Sequence, residues 1–180
     1  MRKFYRFLLY RVMGWRSEVT VEWPAKYVVA LAPHTSNWDF IMGQLYSRAE
    51  GMRCEFLMKK EWFFWPLGPL FRKWGGIPVE RKKHTSLTDQ IAAIAREREA
   101  FGLCVTPEGT RKPVADWKLG FYYIAQKAGI PILLYGLDYG RKRIVCTHTF
   151  TPTGDVERDM KEIRAYFRDF KGKHPENFIA

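Results

Sequence analysis

Six short apolar runs punctuate the chain, at 27–32 (YVVALA), 54–58, 76–80, 102–107, 131–137 and 143–150. Runs this short, bounded by Gly, Pro or charged residues, suit strands buried within a sheet. Between and after them lie stretches with helical spacing, at roughly 37–50, 61–74, 86–100, 117–128 and 155–170. The last is the clearest, with Val156, Met160, Ile163, Phe167 and Phe170 recurring at three- and four-residue intervals. Ser86-Leu87-Thr88-Asp89 resembles a capping box at the head of the third. Strands alternating with helices predict an α/β domain, with a largely parallel or mixed central sheet flanked by helices. In such sheets, ligands collect beyond the carboxyl ends of strands.

Ahead of the first run, residues 3–16 place Phe4, Phe7, Leu8, Val12 and Trp15 on one helical stripe, with Arg2, Lys3, Arg6, Arg11 and Arg16 supplying charge. This composition suits a helix lying in a membrane interface, and equally a first helix packing on its own domain. The chain has 180 residues, 47% of them hydrophobic, and no linker or repeat, so a single domain over 1–180 is expected. Thirty basic residues against 19 acidic give a net charge of +11 and call for an anionic partner. Cys54, Cys104 and Cys146 lie apart in apolar runs, which suits reduced, buried thiols in the cytoplasm rather than a disulfide framework. No secretory segment or spanning helix is legible, and His34, His84, His148 and His174 form no cluster with metal-ligand spacing. The expected state is a cytoplasmic protein that binds no metal.

Chemistry concentrates where strands end. PHTSNWD, residues 33–39, follows the first run and sets His34 five residues before Asp39. At about 100° per residue, five helical steps would leave the two side chains roughly 140° apart. They can meet only if His34 precedes the helix and Asp39 lies in its first turn, with Ser36 or Asn37 as the N-cap. A neutral imidazole whose other nitrogen is fixed by a carboxylate can accept a proton from a hydroxyl. TPEGTR, residues 106–111, follows the fourth run. There Gly109 frees the backbone, Thr110 offers a hydroxyl, and Arg111 can fork onto a phosphate. GGIPVER, residues 75–81, brings Arg81 toward the same edge as a second arm of a phosphate clamp. GIPI, residues 129–132, reads as a helix stop followed by a buried strand.

In this order, PHTSNWD, GGIPVER, TPEGTR and GIPILL resemble the four blocks of the glycerol-phosphate acyltransferase superfamily, in its 1-acylglycerol-3-phosphate acyltransferase branch. The resemblance spans roughly residues 27–139. Thr106 replaces the family's usual phenylalanine and Pro33 its usual asparagine, and neither change removes a reactive group. The resemblance implies direct acyl transfer from a thioester to a hydroxyl, with His34 as general base and Asp39 orienting it. It implies that Arg81, Glu108, Gly109, Thr110 and Arg111 hold the acceptor. Lys59, or failing it Lys60, matches a family lysine near the second block that would stabilise a thioester oxyanion. Lys118 matches another lysine after the third block. No cofactor is bound permanently on this reading. Acyl-CoA or acyl carrier protein is the co-substrate, a lysophospholipid the acceptor, and the inner face of the cell membrane the anionic surface to which the protein docks.

Residues 62–71, rich in Trp and Phe, either line the acyl path, dip into lipid or pack on the sheet. Two other function classes compete. A non-catalytic basic protein would explain the charge, but the basic residues are spread along the chain and no nucleic-acid motif is present, so no nucleic-acid partner is expected. A serine or cysteine hydrolase lacks a nucleophile elbow. Within the acyltransferases, glycerol-3-phosphate or a lyso-aminolipid is the alternative acceptor.

Overall fold

The computed structural model describes residues 1–80 and 86–180. The chain opens with α1 (Arg2–Arg6), which widens into a π-helical stretch (Phe7–Val12), then β1 (Arg16–Val19), β2 (Lys26–Ala32) and α2 (Trp38–Glu50). Next come β3 (Phe56–Lys59), α3 (Leu67–Lys73), β4 (Gly76–Val79), α4 (Leu87–Glu97), β5 (Phe101–Val105) and α5 (Gly120–Ala128). Strands β6 (Ile132–Asp138), β7 (Arg143–Cys146) and β8 (Thr149–Phe150) follow, and α6 (Val156–Phe167) is the last long helix.

Among the described residues the main sheet is six-stranded and mixed, in the order β1-β7-β6-β2-β5, with β8 also on β6. Strand β2 is an interior strand, flanked by β5 and β6 and parallel to both. Its near-unbroken apolar sequence follows from burial on two faces. Val28, Ala30 and Ala32 face a core that takes Ile91 from α4, Phe121 from α5 and Ile163 from α6. Tyr27, Val29 and Leu31 face a second core with Leu9, Met42 and Tyr46. Each fully buried side chain of this size contributes roughly 1.5–3 kcal/mol, so the two cores fix the carboxyl end of β2 from both sides. Helix α5 stops at Gly129, whose φ of +67° is the left-handed conformation a helix C-cap requires.

Three elements depart from the sequence pattern. Strand β1 had no apolar signature; it pairs in parallel with β7, and its Glu18 accepts two bonds from Arg143 at 2.7 and 2.8 Å. The run 143–150 divides into β7 and β8. Their registers against β6 differ by one residue between Gly136↔Val145 and Leu133↔Thr149, which marks a bulge. The expected helix over 61–74 divides into a 3₁₀ turn at Lys60–Trp62 and the shorter α3, because Pro66 has no N–H to carry a helix through. Strands β3 and β4 form a separate parallel pair, tied to the main sheet by a bridge between Glu55 and Leu103. Ser86 takes the N-cap position of α4, but its hydroxyl meets Thr88 Oγ1 at 2.7 Å instead of capping the helix.

The N-terminal segment packs on its own domain and still leaves an apolar side outward. Leu9 is fully buried, Arg2 donates to the carbonyl of Ala49 at 3.0 Å, and Arg6 and Tyr10 both bond Glu50 at the end of α2. Phe4, Phe7 and Val12 are exposed. No helix among the described residues is long and apolar enough to cross a membrane.

Candidate active site

Strand β2 ends at Ala32, and the chain turns through Pro33 so that His34 lies ahead of α2 and Asp39 in its first turn. His34 Nδ1 lies 3.1 Å from Asp39 Oδ2, the contact that the five-residue spacing requires. The same oxygen accepts the backbone N–H groups of Thr35 and Ser36, both at 2.8 Å. Oδ1 accepts the hydroxyl of Tyr139 at 2.7 Å. Asp39 is fully buried, so these four donors replace the water it would otherwise hold. A carboxylate offers only acceptors here, which puts the imidazole proton on Nδ1 and leaves the Nε2 lone pair free. Asn37 stands at the N-cap position, yet its side chain accepts a bond from Arg111 and does not cap the helix. Ser36 Oγ accepts the N–H of Trp38 at 3.2 Å.

His34, Asn37 and Asp39 border a cavity of about 450 Å³. Its remaining wall is largely apolar, from Leu31, Phe40, Phe56, Leu57 and Val105, with Thr106 on the TPEGTR side. That volume is in the range for a small-molecule site. Cys54 and Cys104, expected to be buried, are half-buried and form part of this wall; Cys146 is buried in the core. A smaller space of about 30 Å³ continues past Leu31, Gly43, Cys54 and Cys104 toward Met52 and Tyr135.

The TPEGTR turn follows β5 and meets the histidine loop. Glu108 does not present its carboxylate to the opening, as an acceptor-binding role would ask. It is 2% exposed and accepts the backbone N–H of His34 at 2.7 Å. Burial pushes its pKa up to about 7, against the opposing pull of the His34 N–H. Gly109 has a φ of +65°, and a Cβ there would come within 3.1 Å of the Lys118 side chain, so glycine lets that side chain lie across the turn. The Lys118 N–H also donates to Pro107 O at 2.6 Å. Thr110 Oγ1 accepts the N–H of Lys112 at 3.2 Å. The structure therefore gathers His34, Asp39, Glu108, Gly109, Thr110, Arg111 and Lys118 beyond the carboxyl ends of the neighbouring strands β2 and β5.

The second block is different. Lys59 is exposed at the end of β3, two residues beyond the Leu57 that lines the cavity, and Lys60 pairs with Glu80 at 2.9 Å. Arg81 lies outside the described residues. Trp62, Phe64 and Trp65 are exposed and are not among the residues lining the cavity, with Trp65 at 85% the most exposed tryptophan. Two contributors carried no sequence signal. Tyr139 reaches Asp39 from a hundred residues away. The C-terminal segment passes over the same loop, where His174 N donates to Thr35 Oγ1 at 3.1 Å and Lys173 stands 4.6 Å from the centre of the Trp38 ring.

The profile of the acyltransferase family matches residues 17–134, which take in His34, Asp39 and the whole TPEGTR turn. No curated protein matches the chain in sequence. Among solved structures, the fold is similar to that of the 1-acyl-sn-glycerophosphate (LPA) acyltransferase PlsC from Thermotoga maritima. The TM-score is 0.61 at 18% identity, covering 92% of this chain and 76% of the other.

Proposed function

The chain belongs to the acyltransferase family, and on that premise we propose that it moves a fatty acyl group from a thioester to the free hydroxyl of 1-acylglycerol-3-phosphate. The observation that carries this reading is the His34–Asp39 contact at the edge of a largely apolar cavity of about 450 Å³. An acyl chain suits the Leu, Phe and Val wall, and a hydroxyl entering at the polar edge would meet the free Nε2 of His34. In the proposed reaction Nε2 takes the hydroxyl proton as the oxygen attacks the thioester carbonyl. The new C–O bond forms, the C–S bond breaks as the tetrahedral intermediate collapses, and the departing thiolate recovers the proton from the imidazolium.

Arg111, held beside the cavity by Asn37, and Lys118, lying on Gly109, are the cations we assign to the acceptor phosphate. Arg81 is the proposed third. Lys59, exposed past the cavity wall, is the proposed partner of the developing oxyanion, a role worth about 3–4 kcal/mol for a well-placed donor. Glu108 acts from beneath, by holding the His34 main chain. The donor is acyl-CoA or acyl carrier protein. Delivery of two lipid substrates favours docking on the anionic inner face of the cell membrane, through Phe4, Phe7 and Val12 and the net charge of +11.

The test is acyl transfer on anionic vesicles, with acyl-CoA and acyl carrier protein each offered as donor. Acceptors are 1-acylglycerol-3-phosphate and the same monoacylglycerol without phosphate. The expected result is at least about tenfold higher kcat/KM for the phosphate acceptor, the scale of one charged hydrogen bond. Equal rates would remove the phosphate clamp, and no product from either acceptor with either donor would overturn the reaction.

A further inference from the structure

The buried face of Asp39 is held by a residue that belongs to none of the four sequence blocks. We propose that Tyr139 is a positioning residue for the catalytic pair, its hydroxyl fixing Oδ1 of Asp39 so that Oδ2 stays on His34. The inference rests on the reading of His34 as general base.

The two carboxylate oxygens are served differently. Oδ2 meets His34 Nδ1 and the backbone N–H groups of Thr35 and Ser36, all supplied by the loop that carries the histidine. Oδ1 has a single donor among the described residues, the Tyr139 hydroxyl at 2.7 Å. Because Asp39 is fully buried, no solvent stands ready to replace that donor. Without it, the carboxylate can turn about its Cβ–Cγ bond to satisfy Oδ1 at the expense of the imidazole. A misdirected carboxylate loosens the ring orientation and the tautomer on which base catalysis depends.

Tyr139 is itself braced from two distant parts of the chain. Its ring meets the edge of Trp15 at 5.0 Å with an interplanar angle of 87°, and Trp15 is buried where the N-terminal segment meets β1. Its N–H donates to the carbonyl of Lys171 at 2.8 Å, in the C-terminal segment that also bonds Thr35 through His174. Burial and the neighbouring Asp39 hold its phenol far above the ordinary range, so it remains a donor throughout the working range of a histidine base. The titratable side chains facing Asp39 are then His34, Tyr139 and, more remotely, Glu108.

The molecule supplies a matched control. Tyr122 donates its hydroxyl at 2.8 Å to another buried aspartate, Asp159. Asp159 opens the helix that follows β8, which pairs with the start of β6, whereas His34 follows the end of β2 at the opposite end of the sheet. Tyr139→Phe and Tyr122→Phe each remove one oxygen and leave the ring in place. The experiment compares kcat, KM and melting temperature for the parent, both variants, His34→Ala, Asp39→Asn and the Asp39→Asn/Tyr139→Phe double variant. Tyr139→Phe is expected to lower kcat about tenfold or more, the scale of one lost hydrogen bond to a charged group, with KM unchanged. Tyr122→Phe is expected to lower the melting temperature with kcat unchanged. In the Asp39→Asn background the Tyr139 effect on kcat should vanish, since the two residues act as a unit. A kcat within twofold of the parent for Tyr139→Phe, an equal loss in Tyr122→Phe, or full persistence of the loss in the Asp39→Asn background would overturn the inference. Those results, obtained while His34→Ala is inactive, would count against Tyr139 alone. An active His34→Ala would instead remove the reading on which it rests.

Discussion

Two buried aspartates in this chain are built alike and differ in what they face. Asp39 lies in the first turn of α2 and Asp159 in the first turn of α6, and neither is more than 1% exposed. Each accepts a tyrosine hydroxyl, from Tyr139 at 2.7 Å and from Tyr122 at 2.8 Å. Each also accepts backbone N–H groups from the residues before its helix, Thr35 and Ser36 in one case and Thr153 in the other. The remaining donor separates them. Asp159 takes the hydroxyl of Thr153 at 2.7 Å and so closes a local joint. Asp39 takes an imidazole whose second nitrogen is left for a cavity. The hollow on the outer side of α6 does not reach Asp159. A buried carboxylate with a full set of donors is therefore an ordinary device for seating a helix. It becomes chemistry only when one donor has a second face and an opening to use it.

Neutralising each aspartate in turn separates the two sites. Asp39→Asn should lower kcat by about 10² to 10⁴, the range for an impaired general base, while the chain stays folded. Asp159→Asn should leave kcat per folded molecule near the parent value and cost about 1–3 kcal/mol in a denaturant titration, as a buried donor set loses its acceptor. At Asp159, burial works to raise the pKa, but the Thr153 and Tyr122 donors together bring it below the ordinary value. That stability is present at neutral pH and fades as acid protonates the group. Loss of activity in both variants, or in neither, would end the distinction.

Glu108 extends the contrast to a carboxylate shifted the other way. Its pKa is raised from 4.5 to about 7, chiefly by burial, so the folded chain favours the protonated acid. Between those two values the folded state holds a proton that the unfolded chain has released, and stability falls as pH rises, by up to about 3 kcal/mol. Glu108→Gln keeps an oxygen for the His34 N–H and removes the titration. Denaturant midpoints at pH 5 and pH 8 should differ less in the variant than in the parent. Arg111→Ala is the smallest effect expected. It should raise KM for the phosphate acceptor about tenfold and leave kcat within about twofold, as the loss of one charged contact would.

Features set by local spacing are legible in the sequence, and those set by long-range packing are not. His34 and Asp39 were legible because five residues is the interval between a residue just outside a helix and one in its first turn. The central strands were legible because burial on two faces leaves little room for polar residues. Strand β1 was not, since Arg16–Val19 is held by pairing with β7 and by the Glu18–Arg143 ion pair rather than by an apolar face. The division into two sheets was hidden as well, because an apolar run says that a strand is buried but not what it pairs with. The place of Glu108 in the motif assigns it to the acceptor. Its side chain instead faces the His34 main chain, a direction that spacing alone does not encode. Tyr139 stands in GLDYG with nothing to mark it, and only the fold brings it to Asp39.

Whether His34 is the base is decided by single-turnover acyl transfer to 1-acylglycerol-3-phosphate, by the parent and by His34→Ala. With acyl thioester and vesicles held constant, the parent is expected to form product and the variant to react at least about 10²-fold more slowly, at an unchanged melting temperature. Equal rates from the two proteins would contradict it.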